Sequence, residues 1–188
     1  MNTSSGLVVA FLAIFLLVTT TEAARGPNVL ERDVPDAFQV FANFPYGVAI
    51  TDIDNDNILD CLTAKRKDFD PEAKTVTYVW SLNGGEGNNR YHVAFHHTAG
   101  ATPDATNFTV GKDSDNVEVA HFLYSDNKDC AIVDVPHFGD ECVLFVSQEK
   151  ENDVPEVCLE HFADICGDAI AVRDRHRCVD DDTDEEDY

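Results

Sequence analysis

The sharpest chemical pattern in this sequence is the run Asp52-Ile53-Asp54-Asn55-Asp56-Asn57-Ile58-Leu59-Asp60. Oxygen-bearing side chains at alternate positions, followed by a later Asp, are how calcium loops are built. Asn57 stands where such loops usually place Gly, and Asn tolerates the left-handed backbone that this position requires. The same residues also suit a polar turn between two strands, where Asp and Asn supply the turn chemistry. Asp52, Asp54, Asp56 and Asp60 are therefore a candidate calcium loop rather than an assigned metal site, and both readings stand at this point.

Residues suited to turnover do not assemble. The 7 histidines form no ligand set, and His96 and His97 point to opposite faces of any strand that holds them. Gly84-Gly85-Glu86-Gly87 reads as a turn, not as a phosphate loop, and no Ser lies in a nucleophile elbow. The 6 cysteines are better explained as disulfides than as a catalytic thiol. An enzyme is not expected, and no cofactor is implied. Asn107-Phe108-Thr109 is a glycosylation sequon, meaningful in an exported chain.

Export is the expectation from the N-terminus. Leu7 to Val18 is an unbroken apolar run, shorter than the ~20 residues that a membrane span needs. Small residues follow at Thr21, Ala23 and Ala24, which suits cleavage after Ala23. Residues 1–23 then read as a signal peptide, 24–179 as one domain and 180–188 as an acidic disordered tail. The formal net charge is -23, which repels nucleic acid and anionic lipid and attracts amines, basic peptides and metal ions. Asp180 to Asp187 cannot pack; the run reads as a solubilising tail, or as a grip on a basic host protein. Tyr188 ends it in a setting that suits tyrosine sulfation. A monomer is expected.

The elements between leader and tail are mostly strands. Val34 to Ala42 reads as a short helix with Pro35 in its first turn. Thr75 to Leu82 alternates, with Val76, Tyr78, Trp80 and Leu82 on one face. Val48–Thr51, Cys61–Lys67, Tyr91–His97, Asn107–Val110, Val117–Tyr124, Cys130–Val135 and Cys142–Val146 are further strands, and Pro155 to Cys166 reads as a helix. This is a mainly β chain, and its strand count suggests a sandwich or an up-and-down barrel. Cysteines in this number allow fifteen pairings. Pro136 to Glu141 joins two strands as a hairpin, so the second returns to the level of Cys130, where the helix begins. A rise of about 12 Å over eight helical residues brings Cys166 to the level of Cys142. The topology therefore favours Cys130–Cys158 and Cys142–Cys166, leaving Cys61 for Cys178.

Two segments carry a family resemblance. One is DAFQVF (Asp36 to Phe41), followed by a strand, an acidic loop and Cys61. The other is the block DCAIVDVP (Asp129 to Pro136), ECVLFVS (Glu141 to Ser147) and VPEVCLEHFADIC (Val154 to Cys166). Together they resemble the tick salivary lipocalins, the family of the histamine-binding proteins, over residues 36–178. The resemblance implies an eight-stranded antiparallel barrel with a C-terminal helix on its wall, and the bridges Cys61–Cys178 and Cys130–Cys158. It also implies capture of a small host mediator inside the barrel, foremost a biogenic amine such as histamine or serotonin. In such sites carboxylates pair with the cation and aromatics enclose the ring.

The carry-over is partial. Asp52 matches a family carboxylate, Glu118 and Ala120 fall where the family has an aromatic and an acid, and Phe145 and Val143 fall at an aromatic and an acidic position. The thinned acid set leaves a lipid mediator, such as a leukotriene, fatty acid or sterol, as the alternative, and a surface-acting inhibitor as a third. The expected ligand-binding residues are Asp52, Glu118, Phe122, Tyr124, Phe145, Trp80 and Tyr78. Glu118, Ala120, Phe122 and Tyr124 share one face of their strand; register decides whether that face or the Val117, Val119, His121, Leu123 face is interior.

Overall fold

The computed structural model describes residues 26–53, 58–83, 90–139, 141–173 and 178. The leader, Asp54, Asp56, the acidic tail and Tyr188 lie outside these residues. The first element is helix α1 (Ala37–Asn43), which starts where Asp36 accepts hydrogen bonds from the backbone N–H groups of Phe38 and Gln39 at 2.9 and 3.1 Å. This cap fixes the start three residues after Val34, the expected first residue, because Pro35 then precedes the cap instead of occupying the first turn.

Eight strands follow: β1 (Tyr46–Asp52), β2 (Thr63–Asp70), β3 (Thr75–Asn83), β4 (Arg90–Ala99), β5 (Ala105–Val110), β6 (Asp113–Ser125), β7 (Cys130–Val135) and β8 (Glu141–Ser147). Each pairs antiparallel with the next, and β1 pairs with both β2 and β8, which closes the sheet into an up-and-down barrel. Closure leaves no long unpaired edge among these strands. Helix α2 (Glu156–Cys166) follows, then a two-residue strand, β9 (Ile170–Ala171), which the sequence did not signal and which pairs with the end of β1.

Strand alternation sorts the apolar residues into two cores. The inward set includes Ala49, Val76, Tyr78, Trp80, Leu82, Phe95, Phe108, Phe122 and Phe145, together with Phe38, Val40, Phe41 and Phe44 from α1. The outward set on β1, β7 and β8, namely Val48, Ile132, Leu144 and Val146, packs beneath Phe162 and Ile165 of α2. One wall of the barrel is therefore apolar on both faces, which is why β7 and β8 read as continuous hydrophobic runs. Three disulfides brace that wall and its neighbour: Cys130–Cys158 and Cys142–Cys166 tie α2 to β7 and β8, and Cys61–Cys178 spans a separation of 117 residues.

A bulge in β6 corrects one expectation. Phe122 pairs with Val133 but Tyr124 pairs with Ile132, so the register slips by one residue between them. Tyr124 thus leaves the interior face it would have shared with Phe122 and stacks outside the barrel on His161 of α2, with ring centroids 3.9 Å apart. Simple alternation cannot anticipate this, because an inserted residue reverses the face of every residue beyond it.

The chain before α1 is held to the end of α2 by backbone bonds from the N–H groups of Gly26 and Asn28 to the carbonyls of Ile165 and Asp164, at 3.3 and 2.7 Å, and by the Asp164 side chain. Asp164, buried near the C-terminal end of α2, accepts hydrogen bonds from the N–H groups of Val29 and Leu30 at 2.7 and 3.0 Å and lies 3.5 Å from the Arg32 guanidinium. Burial alone would raise this carboxyl, but the two N–H donors, Arg32 and His161 hold it below its ordinary value. A carboxyl depressed in the native state stabilises the fold above its unfolded pKa, and that contribution is lost as pH falls through the native value. The amides of Val29 and Leu30 should therefore resist hydrogen exchange at neutral pH and lose protection on acidification below the ordinary carboxylate range. Asp164→Asn should expose them already at neutral pH, with exchange in β7 and β8 unchanged.

Candidate functional site

The interior of the barrel is stoppered at one end by α1. The carbonyl of Phe41 accepts from the Arg66 guanidinium and from the Tyr78 hydroxyl, and the carbonyl of Phe44 also accepts from Tyr78. These donors satisfy carbonyls that the helix end leaves open. The Phe41 ring then projects into the lumen, with centroid distances of 5.3 Å to Tyr78, 5.1 Å to His97 and 5.1 Å to Phe122.

Above this plug lies a cavity lined by Phe41, Tyr78, Trp80, Phe95, His97, Phe122 and Phe145, with small residues such as Gly47, Ala64 and Ala120 leaving room between the rings. It offers about 60 Å³ to the centres of water-sized molecules. Trp80 lies 4.5 Å from Phe95 and 5.6 Å from Phe145 by ring centroids. At the other end of the barrel the β7–β8 connection turns inward. Its 3-10 turn, Pro136–Phe138, places Phe138 6.1 Å from Trp80 and 6.2 Å from Phe95, and His137 5.7 Å from Phe95.

Among the described residues no carboxylate lines this cavity. Asp52 is buried at the end of β1, outside the lining. Glu118 is on the interior face of β6, as Ala120 and Phe122 are, but its carboxylate is engaged by His137 at 2.7 Å near the mouth. The alternative interior face is excluded, since Val117 and Val119 are exposed. Phe122, Phe145, Trp80 and Tyr78 all line the cavity, and Tyr124 does not.

Several residues here were not singled out by the sequence. Phe95 and Phe108 carried the ordinary signal of alternation, and Phe41 that of the apolar side of a short helix. Glu141 faces inward opposite Val135 and is 1% exposed; it belongs to the same face of β8 as Val143 and Phe145. His137 and Phe138 lie in a connection that read as a plain hairpin loop, and nothing local marks it as inward-folding. Among the described residues that line the cavity, the ionisable side chains are Tyr78 and His97. The Nδ1 of His97 lies 3.0 Å from Thr106 Oγ1, and burial, with a smaller push from His96, lowers the pKa of the ring to about 3. The imidazole is neutral at physiological pH. The Tyr78 hydroxyl, likewise removed from water, is held well above its ordinary value by burial, against an opposing pull from Arg66.

By sequence, residues 35–177 match the profile of a family described as tick histamine binding protein. The chain belongs to that family. No curated protein sequence matches it. Similar solved structures include Japanin from Rhipicephalus appendiculatus bound to cholesterol, with 14% identity, 70% of this chain and 94% of that chain covered, and a TM-score of 0.53. A serotonin complex of AM182 has 14% identity, 79% and 96% coverage and a TM-score of 0.58. Lobster apocrustacyanin A1 has 13% identity, 78% and 88% coverage and a TM-score of 0.52. At these identities the likeness is one of fold: a closed antiparallel lipocalin barrel. The family match and this barrel make the lumen the place to look for ligand binding, and they leave open which ligand this member takes.

His97 gives the lumen a pH signature. An unfolded histidine takes a proton near its ordinary value of ~6.5, whereas the buried ring does not until about 3. Across that window the unfolded chain holds the extra proton, so stability falls as pH drops. The loss through this one group is roughly 3 kcal/mol between pH 7 and pH 4. Thermal melts should show the midpoint falling over this range, and His97→Phe should flatten the dependence; an equally steep profile in the variant would assign the acid sensitivity elsewhere.

Proposed function

We propose that this protein is a secreted member of the histamine-binding protein family that sequesters a small host mediator and does not turn it over, and that its barrel takes an uncharged, largely apolar ligand. The observation that carries the ligand class is the cavity lining: aromatic rings, small apolar residues, a neutral imidazole and, among the described residues, no carboxylate. An ammonium placed there would be desolvated without an opposite charge, which costs far more than ring faces return. A neutral ring or terpenoid loses little on entry and gains about 25 cal/mol for each Å² of apolar surface removed from water. The extracellular setting is supported by the leader-like first 23 residues and by the three disulfides. The residues proposed to meet ligand are Trp80, Tyr78, Phe122 and Phe145 from the expected set, joined by Phe41, Phe95 and His97. Glycosylation at Asn107 remains part of the proposal; its side chain lies on the outward face of β5, beside buried Phe108.

A biogenic amine is the second reading. Asp52 on β1, Glu141 on the neighbouring β8 and Glu118 on β6 all lie toward the mouth half of the lumen, and the serotonin complex of AM182 shows the fold with an amine. Displacing His137 from Glu118 would be the step that frees a carboxylate for the cation. The acidic tail lies outside the described residues and carries no part of either reading.

The chain has 1 tryptophan, and it lines the cavity, so its fluorescence reports directly on occupancy. Neutral apolar probes and cholesterol should change Trp80 emission saturably, while histamine and serotonin at neutral pH should neither change it nor displace them. Saturable histamine binding that Glu118→Gln or Asp52→Asn weakens tenfold or more would replace the first reading with the second.

A further inference from the structure

The ring of His97 is more than 90% buried, at 8% exposure, and lines the cavity. Its two nitrogens differ in their surroundings. Nδ1 lies 3.0 Å from Thr106 Oγ1. Nε2 has no hydrogen-bond partner among the described residues, and the ring that carries it lines the cavity.

Thr106 decides which nitrogen carries the proton. It is 0% exposed, and among the described residues its hydroxyl has His97 Nδ1 as its partner. A hydroxyl has one proton to donate, and a buried donor left unused costs about 1–3 kcal/mol. If Nδ1 carried the ring proton, Thr106 would accept it and strand its own. If Nδ1 is bare, Thr106 donates to it, and the donor left over is the Nε2–H of a ring that lines the cavity, where a ligand or water oxygen can accept it; a stranded Thr106 proton, fully buried, has no such recourse. The ring proton then resides on Nε2 and points into the lumen. The depressed basicity of the ring, a consequence of its burial, keeps it from taking a second proton at neutral pH.

From this arrangement we infer that His97 is the specificity-determining residue of the cavity, a neutral Nε2–H donor that selects an uncharged ligand carrying a carbonyl or comparable acceptor oxygen beside an apolar ring. The inference rests on the reading of the cavity as a site for uncharged ligands. The donor is single and neutral, so it does not compensate a carboxylate, and it offers no lone pair to an ammonium. Tyr78 does not compete for the role, because its hydroxyl is committed to the carbonyls of Phe41 and Phe44.

Two measurements test it. Nitrogen-15 spectra of histidine-labelled protein at neutral pH should show His97 protonated on Nε2 and bare on Nδ1; the opposite tautomer, or the doubly protonated ring, overturns the inference without any variant having to fold. Acetophenone and α-methylstyrene are planar near-isosteres that exchange C=O for C=CH2, and their binding can be followed by the shift of the Trp80 indole resonance. The ratio of their affinities should fall about tenfold in favour of the alkene in His97→Phe, the loss of one hydrogen bond's worth of binding. Binding of both with an unaltered ratio overturns the role of His97 alone. Binding of neither to the native protein sinks the uncharged-ligand reading and this inference with it.

Discussion

Phe41 is the residue on which barrel, helix and cavity converge. Its carbonyl is one of those α1 cannot satisfy internally, and Arg66 from β2 and Tyr78 from β3 satisfy it from the barrel wall. That polar anchor fixes where the helix ends, and so fixes where the Phe41 ring enters the lumen, against Tyr78, His97 and Phe122. Five residues later β1 begins, the strand that pairs with both β2 and β8 and closes the sheet. The same stretch of chain therefore stoppers the barrel, seams it and supplies the floor of the cavity. The apolar burial is large, but it is non-directional; the hydrogen bonds at the end of α1 give it a single geometry.

The lumen is graded from this floor to the mouth. Near α1 it is aromatic and apolar. Toward the β7–β8 connection it acquires Glu118, Glu141 and Asp52, with His137 engaging Glu118. Family membership accounts for both halves without choosing between them, because a lipocalin barrel specifies a container and the lining specifies its contents. In this chain the open space lies in the aromatic half, while the carboxylates lie where the connection folds over them. On the proposed reading, that placement, more than the number of acids, favours a neutral ligand over a cationic one.

Much of the container was legible in the sequence. Alternation in Thr75 to Leu82 puts Val76, Tyr78, Trp80 and Leu82 inside, and the cysteine order together with the hairpin points to the same disulfide pairs that the structure holds. The site was less legible. Phe122 lies on the face that alternation left undecided and the structure turns inward, and Phe145 was named from the resemblance; Tyr124 is lost, since the β6 bulge between Phe122 and Tyr124 reverses its face. His97 shares the face of Phe95 on β4 and His96 the opposite one, so alternation orders them once that face is taken as inner, but it does not mark His97 as a polar group of the lining. His137 and Phe138 were invisible for a different reason. A loop's direction is set by what it packs against, here Trp80 and Phe95 on distant strands, and no local pattern encodes that.

The charge of -23 invites the conclusion that the ligand is a cation, but charge and lining act over different ranges. Surface carboxylates raise the concentration of cations near the protein and speed their encounter, and salt screens that effect over about 8 Å at physiological ionic strength. Affinity inside the barrel depends on the groups that replace the ligand's water. The described lining supplies rings, methyl groups and one imidazole that burial keeps neutral. An amine drawn to the mouth by the acidic surface would still lose its hydration on passing Phe138 and meet no counter-charge beyond it. The composition therefore bears on what approaches this protein, and the geometry around Trp80 and His97 bears on what stays.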